Sequence, residues 1–380
     1  MTGKDRYDLA VVGAGIVGLA HALDAVRRGL RTVVIDREAR PIGASIRNFG
    51  FVTVTGQRRG ATWHRARRSA EVWAEVAPRA GLAIEHAGLL MLARRAEAAA
   101  VLRAFHATEM GAQCELLSAQ QARDRYPKLD PEALEAALFS PHELRVESRD
   151  ALPRLVAWLE GAGVRFEWRT AVHGVGAGRI DTARGTVRAA ACVVCPGDDL
   201  ATLFPDLVQA QGVQRCVLQM LRLEPPGFRL PAAVMSDLSL ARYRGYADLP
   251  EAAALQARLE LEQRDCLVHG VHLIVVQSAD GSLVVGDSHH YAHSPEPFAA
   301  AAVEQLILAE ARAALGVAPA VRERWLGTYA TAAADMFSAA PREGVRLVMV
   351  TSGTGASTAF AIAEETLNDL IGPTRPRSLA

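Results

Sequence analysis

The 380-residue chain predicts an α/β fold with strand–glycine turn–helix units at its two ends and a mixed α+β region between them. Three observations predict it. A strand, glycine turn, helix and second strand ending on an acid open the chain, and a further strand–glycine turn–helix unit closes it about 300 residues later. Between them the texture changes to amphipathic helices and short strands without an internal repeat. The length also favours two domains over one core.

Each element has its own warrant. Asp8–Val12 is a continuous apolar run, as a buried parallel strand requires. Gly13-Ala14-Gly15-Ile16-Val17-Gly18 follows, and Ile16–Arg28 reads as a helix that Gly29 can end. Thr32–Ile35 is a second buried strand, closed by Asp36. Farther on, Arg67–Ala77, Ala96–Ala107 and Asp150–Gly161 read as helices, and Ser118–Tyr126 as a short capped one before Pro127. Val164–Trp168 and Ala191–Cys195 read as strands. From Val217 to about Arg322 the pattern is mixed, with strands at Val271–Gln277 and Leu283–Val285 around an Asp280-Gly281 turn, then a helix at Ala299–Leu315. Arg346–Thr351, the turn Ser352–Gly355 and a helix over Ala356–Ile371 complete the chain, and the tail after Pro373 reads as loose.

Composition removes several function classes. Lys+Arg and Asp+Glu balance at 42 each, so no global field recruits nucleic acid or an anionic membrane. The lysines are Lys4 and Lys128; the remaining cations are Arg, which suits bidentate anion recognition wherever they enter a pocket. Five scattered cysteines argue against a disulfide scaffold. Met1–Tyr7 lacks the features of a signal peptide, and Leu9–Leu23 is too short to span a bilayer. The expectation is a soluble, cytoplasmic protein with a small-molecule substrate; a homo-oligomer is left open.

The first glycine turn carries the chemistry. Gly13 permits the tight turn, Gly15 close approach of a pyrophosphate, and Gly18 close packing of helix on strand. The helix N-terminus offers free N–H groups and partial positive charge to a diphosphate. Asp36, 18 residues after Gly18, ends the second strand where a ribose diol sits, which disfavours NADP. These residues alone leave NAD and FAD open. Arg37, the small-residue loop Gly43-Ala44-Ser45-Ile46-Arg47-Asn48 and the late Gly353-Thr354-Gly355 turn tip the choice.

With those motifs in place, the layout resembles the D-amino-acid-oxidase superfamily of FAD-dependent oxidoreductases over nearly the whole chain. The resemblance implies a discontinuous FAD-binding Rossmann-type domain (residues 1–75, 146–215 and 322–380) and a mixed α+β substrate-binding domain (76–145 and 216–321). It implies non-covalent FAD held by Gly13, Ala14, Gly15, Ile16, Val17, Gly18, Asp36, Arg37, Ala44, Ser45, Arg47, Asn48, Val172, Gly197 and the Gly353-Thr354-Gly355-Ala356-Ser357-Thr358 turn. The helix after Gly355 would stabilise negative charge on the reduced flavin. Within that superfamily, the strings SIRNFGFV, GQRRG, LSAQQARDRYP, ELRVESRDALPRL, GVHLIVVQSADGSLVVGDSHHY and VTSGTGASTAFAIAEE resemble a bacterial subgroup associated with aminophosphonate catabolism. That implies oxidation of 2-aminoethylphosphonate or its N-methyl derivative. Phe51-Val52-Thr53-Val54-Thr55 departs from the subgroup's apolar-Pro element there. Glycine, sarcosine or D-amino-acid oxidation is one alternative; 2-hydroxy-acid dehydrogenation with a non-oxygen acceptor is another, since Asn48-Phe49-Gly50 parallels an N-S-G element of L-2-hydroxyglutarate dehydrogenase.

Amine oxidation of this kind needs orientation, water exclusion and an anion holder rather than an elaborate acid–base set. Arg47, in the small-residue loop, and Arg242, beside Tyr243, are the anion-holding candidates. His289 or His290 is placed to accept the amine proton. Tyr329 follows the Trp325-Leu326-Gly327 element, where relatives place a pocket residue. Sarcosine-oxidase relatives use an active-site lysine toward oxygen; Lys4 and Lys128 lie outside any such motif, and the electron acceptor stays open. Cys192 and Cys195 have redox spacing, but within a strand they face opposite ways. The same alternation argues against His269 and His272 as a metal pair. Asp287, His289, His290 and His293 read as a pocket-rim loop and no metal is expected. A covalent link to His64 has no sequence support.

Overall fold

In the computed structural model, residues 6–373 are described; Lys4 and the tail from residue 374 lie outside them. Five strands form a parallel sheet in the spatial order Arg165–Glu167, Thr32–Ile35, Arg6–Val12, Gly185–Val194, Val345–Ser352. The run Leu9–Val11 is fully buried, because both faces of this sheet are covered. One face carries the helices Ile16–Arg27, Ala61–Arg79, Ser148–Gly161 and Gly355–Ile371, which bury Leu19, Trp73, Leu155 and Phe360 in one apolar cluster. On the other face Ala10, Val33, Ile35, Val194 and Leu347 pack with the antiparallel Val172–Gly176 and Arg179–Thr182 pair.

The long strand Val321–Arg342 pairs at its C-terminal end with Val345–Ser352 and at its N-terminal end with Gln214–Leu223. It thereby joins the parallel sheet to a second, mixed one containing Ala233–Met235, Ile274–Gln277, Leu283–Gly286, Ile84–Ala93 and Ala136–Val146. The second sheet and the helices Ala96–His106, Ala252–Glu262 and Ala301–Leu315 enclose the largest apolar cluster. One helix, Ala61–Arg79, serves both cores: Trp63 and Ala66 enter the larger cluster, and Val72, Trp73 and Val76 the other.

Most anticipated elements are present with ends moved by a few residues. Ser118 caps Ala119–Arg125 through the expected reciprocal pair with Gln121. Two expectations need correction. The helix read as Arg67–Ala77 begins at Ala61, and the strand read as Val271–Gln277 begins at Ile274. Residues 271–273 are irregular, so the alternation that set His272 aside does not apply to it. The cysteines are free and buried; burial pushes the Cys192 thiol up to about 12, which leaves it unreactive. No helix among the described residues is long and apolar enough to cross a membrane.

Candidate active site

Between the two sheets lies a cleft with a cavity volume of about 410 Å³, within the range of small-molecule sites. Its first end is the opening glycine loop. Gly13 has φ +102°, and a Cβ there would collide with the Cys195 carbonyl oxygen. A Cβ on Gly18 would collide with the Gly13 carbonyl. The loop is thus closed against itself to the limit of backbone packing. Helix Ile16–Arg27 has no side-chain cap on Gly15, and its first internal bond runs from Leu19 N–H to the Gly15 carbonyl. Its leading N–H groups are therefore left for a ligand, except Ile16 N–H, which donates to Ser45 Oγ at 2.9 Å.

Gly15, Ile16, Val17, Gly18, Ala44, Ser45, Arg47, Asn48 and Gly197 line the cleft, as do Gly353, Thr354, Gly355, Ala356 and Ser357. Gly13, Ala14, Asp36, Arg37, Val172 and Thr358 stand behind or beyond that lining. Asp36 clamps the loop: Oδ2 accepts from Ala14 N–H at 2.7 Å and Oδ1 from Glu38 N–H at 2.8 Å. Arg37 is exposed and pairs with Asp199 at 2.7 Å. Val172 is buried against Ala10 and Val33. Thr358 is buried, and its hydroxyl donates to the Thr354 carbonyl at 2.9 Å. The Asn48 amide braces its own loop, donating to the Ala44 carbonyl and accepting from Gly50 N–H. His64 is exposed outside the lining, and Lys128 is exposed in a turn.

The other end is made of side chains. Arg242 lines it and donates to Tyr291 Oη at 3.0 Å. Tyr329 packs over the late glycine turn, where a Cβ on Gly353 would lie 3.1 Å from its Cζ. His289 and Tyr329 ring centroids are 6.4 Å apart. Asp287 stands between two imidazoles: His272 Nε2 lies 3.0 Å from Oδ1, off the line of a hydrogen bond, and His289 Nε2 lies 3.8 Å from Oδ2. Burial pushes the His289 imidazole down to about 3, against the opposing effect of Asp287, so it is neutral around pH 7. His272 is lowered by the same cause. For Asp287, burial pushes the carboxyl up, but His289, His272 and Arg242 together hold it below its ordinary value.

Of the anticipated loop, Asp287 and His289 face the cleft, whereas His290 and His293 are exposed. His290 Nε2 lies 3.2 Å from His269 Nδ1, outside the lining. Thr53, in the threonine segment singled out in the sequence, lines the cleft, as do His272, Gln57, Arg58, Thr62 and Asp335, which the sequence reading missed. Thr53 N–H donates to Ser357 Oγ at 2.9 Å, so the threonine segment grips the start of the late helix. Thr62 donates to Asp335 at 2.6 Å. A signal for His272 was present: the Ile274–Gln277 and Leu283–Gly286 hairpin, continued outward, pairs His272 with Asp287 through reciprocal backbone bonds of 3.1 and 2.9 Å.

A glycine-loop helix start and a second, uncapped helix start on one continuous cleft suit a long ligand with a diphosphate and an aromatic head. The fold and site define a dinucleotide-binding oxidoreductase. The profile of the FAD dependent oxidoreductase (DAO) family matches residues 8–368, and the chain belongs to that family. Its cofactor is accordingly FAD. A search of curated proteins finds no match. Among solved structures, glycine oxidase from Geobacillus kaustophilus is similar at 18% identity and TM-score 0.79, covering 99% of this chain and 98% of that one. L-proline dehydrogenase from P. horikoshii is similar at 16% and 0.78, covering 98% and 95%. The L-alpha-glycerophosphate oxidase from Mycoplasma pneumoniae, with FAD bound, is similar at 14% and 0.76, covering 98% and 96%.

Proposed function

We propose that the protein oxidises a small amine bearing an anionic group, with 2-aminoethylphosphonate or its N-methyl derivative as substrate. The observation that carries this reading is the arginine pairing in the cleft. Arg58 has Asp335 at 3.7 Å and Arg244 has Asp248 at 3.0 Å, whereas Arg47 and Arg242 pair with no carboxylate among the described residues. Arg242, which feels Asp287 without contacting it, and the exposed Arg47, whose Nε donates to the Ile42 carbonyl, keep guanidinium N–H groups for a tetrahedral dianion. The solved glycine oxidases support an amine as the other half of the molecule, as does the string-level resemblance to the aminophosphonate subgroup.

When bound, FAD would supply the acceptor for a hydride, the two electrons that leave the amine. The chain's own residues do the rest. Arg242 and Arg47 hold the anionic end, and Tyr329 with Phe49 and Leu218 forms apolar walls that exclude water. The substrate reacts as the free amine, and neutral His289, whose Nδ1–H donates to the Gly270 carbonyl at 2.9 Å and fixes the ring, accepts a hydrogen bond from it at Nε2. The imine product hydrolyses to an aldehyde and ammonia, or to formaldehyde and the parent amine when an N-methyl group is oxidised.

Anaerobic bleaching of the bound flavin by a substrate panel tests this. 2-Aminoethylphosphonate or its N-methyl derivative is expected to reduce the flavin faster than glycine, sarcosine or a 2-hydroxy acid. Faster reduction by glycine or sarcosine would replace the phosphonate reading with a glycine-oxidase one.

A further inference from the structure

Behind the cleft wall lies a second polar cluster that the reaction does not use. Arg145 is fully buried: Nε donates to the Phe49 carbonyl at 3.2 Å, and Nη2 reaches Glu147 at 2.8 Å and Ser278 Oγ at 3.2 Å. Arg222, 8% exposed, sends Nη2 toward the same Glu147 oxygen at 3.5 Å and Nη1 to Ser282 Oγ at 3.2 Å. His86 is the cross-strand register partner of Arg145, and its Nε2 accepts from Gln277 N–H at 3.3 Å. Arg229, at the solvent side, donates to the Ser278 carbonyl at 2.7 Å.

Three buried nitrogens in this cluster have no acceptor: Arg145 Nη1, Arg222 Nε and His86 Nδ1. Burial, with Arg145 and Arg229, pushes the His86 imidazole down to about 3; it is neutral, and with Nε2 accepting, its proton sits on Nδ1. All three nitrogens are therefore donors. The charges do not balance either. Glu147 is the one carboxylate in ion-pair contact with Arg145 and Arg222 among the described residues; Asp280 and Glu323 also act on Arg222, but each has its own arginine, Arg322 at 3.0 Å and Arg149 at 2.7 Å, so five arginines meet three acids. Buried donors without acceptors are rare and costly. A water would satisfy donors but leave the surplus charge in place.

We propose that Arg145, Arg222 and His86 bind a small inorganic anion of the chloride class at this site, separate from the substrate cleft. The ion supplies the missing acceptor and offsets the charge. Through the Arg145–Phe49 bond it braces the loop that lines the cleft.

The test is thermal unfolding of the FAD-loaded protein in chloride, bromide or gluconate at equal ionic strength. Chloride and bromide are expected to raise the midpoint saturably, on the order of 2 °C once the ion is about tenfold above its dissociation constant, whereas gluconate does not. R222M should lose that increment, and R242M, in the cleft, should keep it. Equal shifts in all three salts, no shift, or loss of the increment in R242M instead would overturn the proposal. Should R222M fail to fold, bromide-soaked crystals of the unaltered protein decide the matter. An anomalous peak between Arg145 and Arg222 supports the site, and water alone there refutes it.

Discussion

The glycine-loop end of the cleft is built from backbone, whereas the Arg242 end is built from side chains arriving from separate stretches of chain. At the first, the groups that would meet the cofactor are N–H groups at two helix starts, and the side chains nearby mostly brace the loops: Asp36 on Ala14 and Glu38, Ser45 on Ile16, Asn48 on Gly50. At the second, Tyr329 depends on the register of its strand, His272 and Asp287 on the backbone pairing beyond a hairpin, and Arg242 on the end of the helix Asp237–Arg242. A backbone site tolerates little change in shape but asks little of chemistry. A side-chain site holds its shape through change and loses specificity instead. Substitutions at the two ends should therefore fail in different ways.

The largest effect is expected at Gly18. In G18A the new Cβ meets the Gly13 carbonyl, and neither backbone can move without opening the helix–strand packing. Purified G18A should retain no FAD, read as absorbance near 450 nm per protein, or should fail to fold by circular dichroism. A G18A protein with full flavin content would mean that this end is more pliable than its packing indicates.

At the other end, R242M should fold and keep its flavin. It should lose selectivity for an anionic amine over an uncharged one by about 10- to 100-fold in kcat/KM, the worth of one charged hydrogen bond at roughly 1.5–3 kcal/mol. Equal loss on both amines would show that Arg242 shapes the cleft without reading the anion. An intermediate case is D36A. Removing the carboxylate frees the Ala14 and Glu38 N–H groups as well as any ribose contact, so flavin affinity should fall by about tenfold or more. Full affinity by flavin titration would show that the loop holds its form unaided.

The same contrast explains what could be read in the chain. The glycine loop and its acid occupy one unbroken stretch from Asp8 to Asp36, and local spacing carries their geometry. The parallel strands were legible as apolar runs because both faces of that sheet are covered. The 22-residue strand Val321–Arg342 was not: its burial is intermediate or exposed over most of its length, so neither alternation nor an apolar run announces it. A strand over Val271–Gln277 would turn His272 away from His269; the chain at 271–273 is irregular instead, and the imidazole lies 3.0 Å from Asp287. Asp335 joins the cleft by tertiary pairing with Thr62, hundreds of residues away, and nothing local marks it.

The smallest predicted effect separates the two ends by their response to acid. His21, in the first helix, is completely buried; its Nδ1 lies 2.7 Å from the Val17 carbonyl and its Nε2 has no partner. Burial holds it at about 4, below the ordinary 6.5. In the unfolded chain it takes up a proton below pH 6.5, but in the folded one only near pH 4. Over that window the unfolded state binds more protons, so stability falls as pH falls and is unaffected above it. His289 and His86, both lowered to about 3, add to the same slope from the substrate side. H21L should remove one proton's share, about 1.4 kcal/mol per pH unit, from the slope of unfolding free energy measured by urea between pH 6 and 4.5. The leucine also packs against Cys195, whose Sγ lies 3.9 Å from Nδ1, so stability at pH 7 need not fall. An unchanged slope would mean that the glycine-loop helix opens before His21 titrates, and that acid sensitivity belongs to the side-chain end alone.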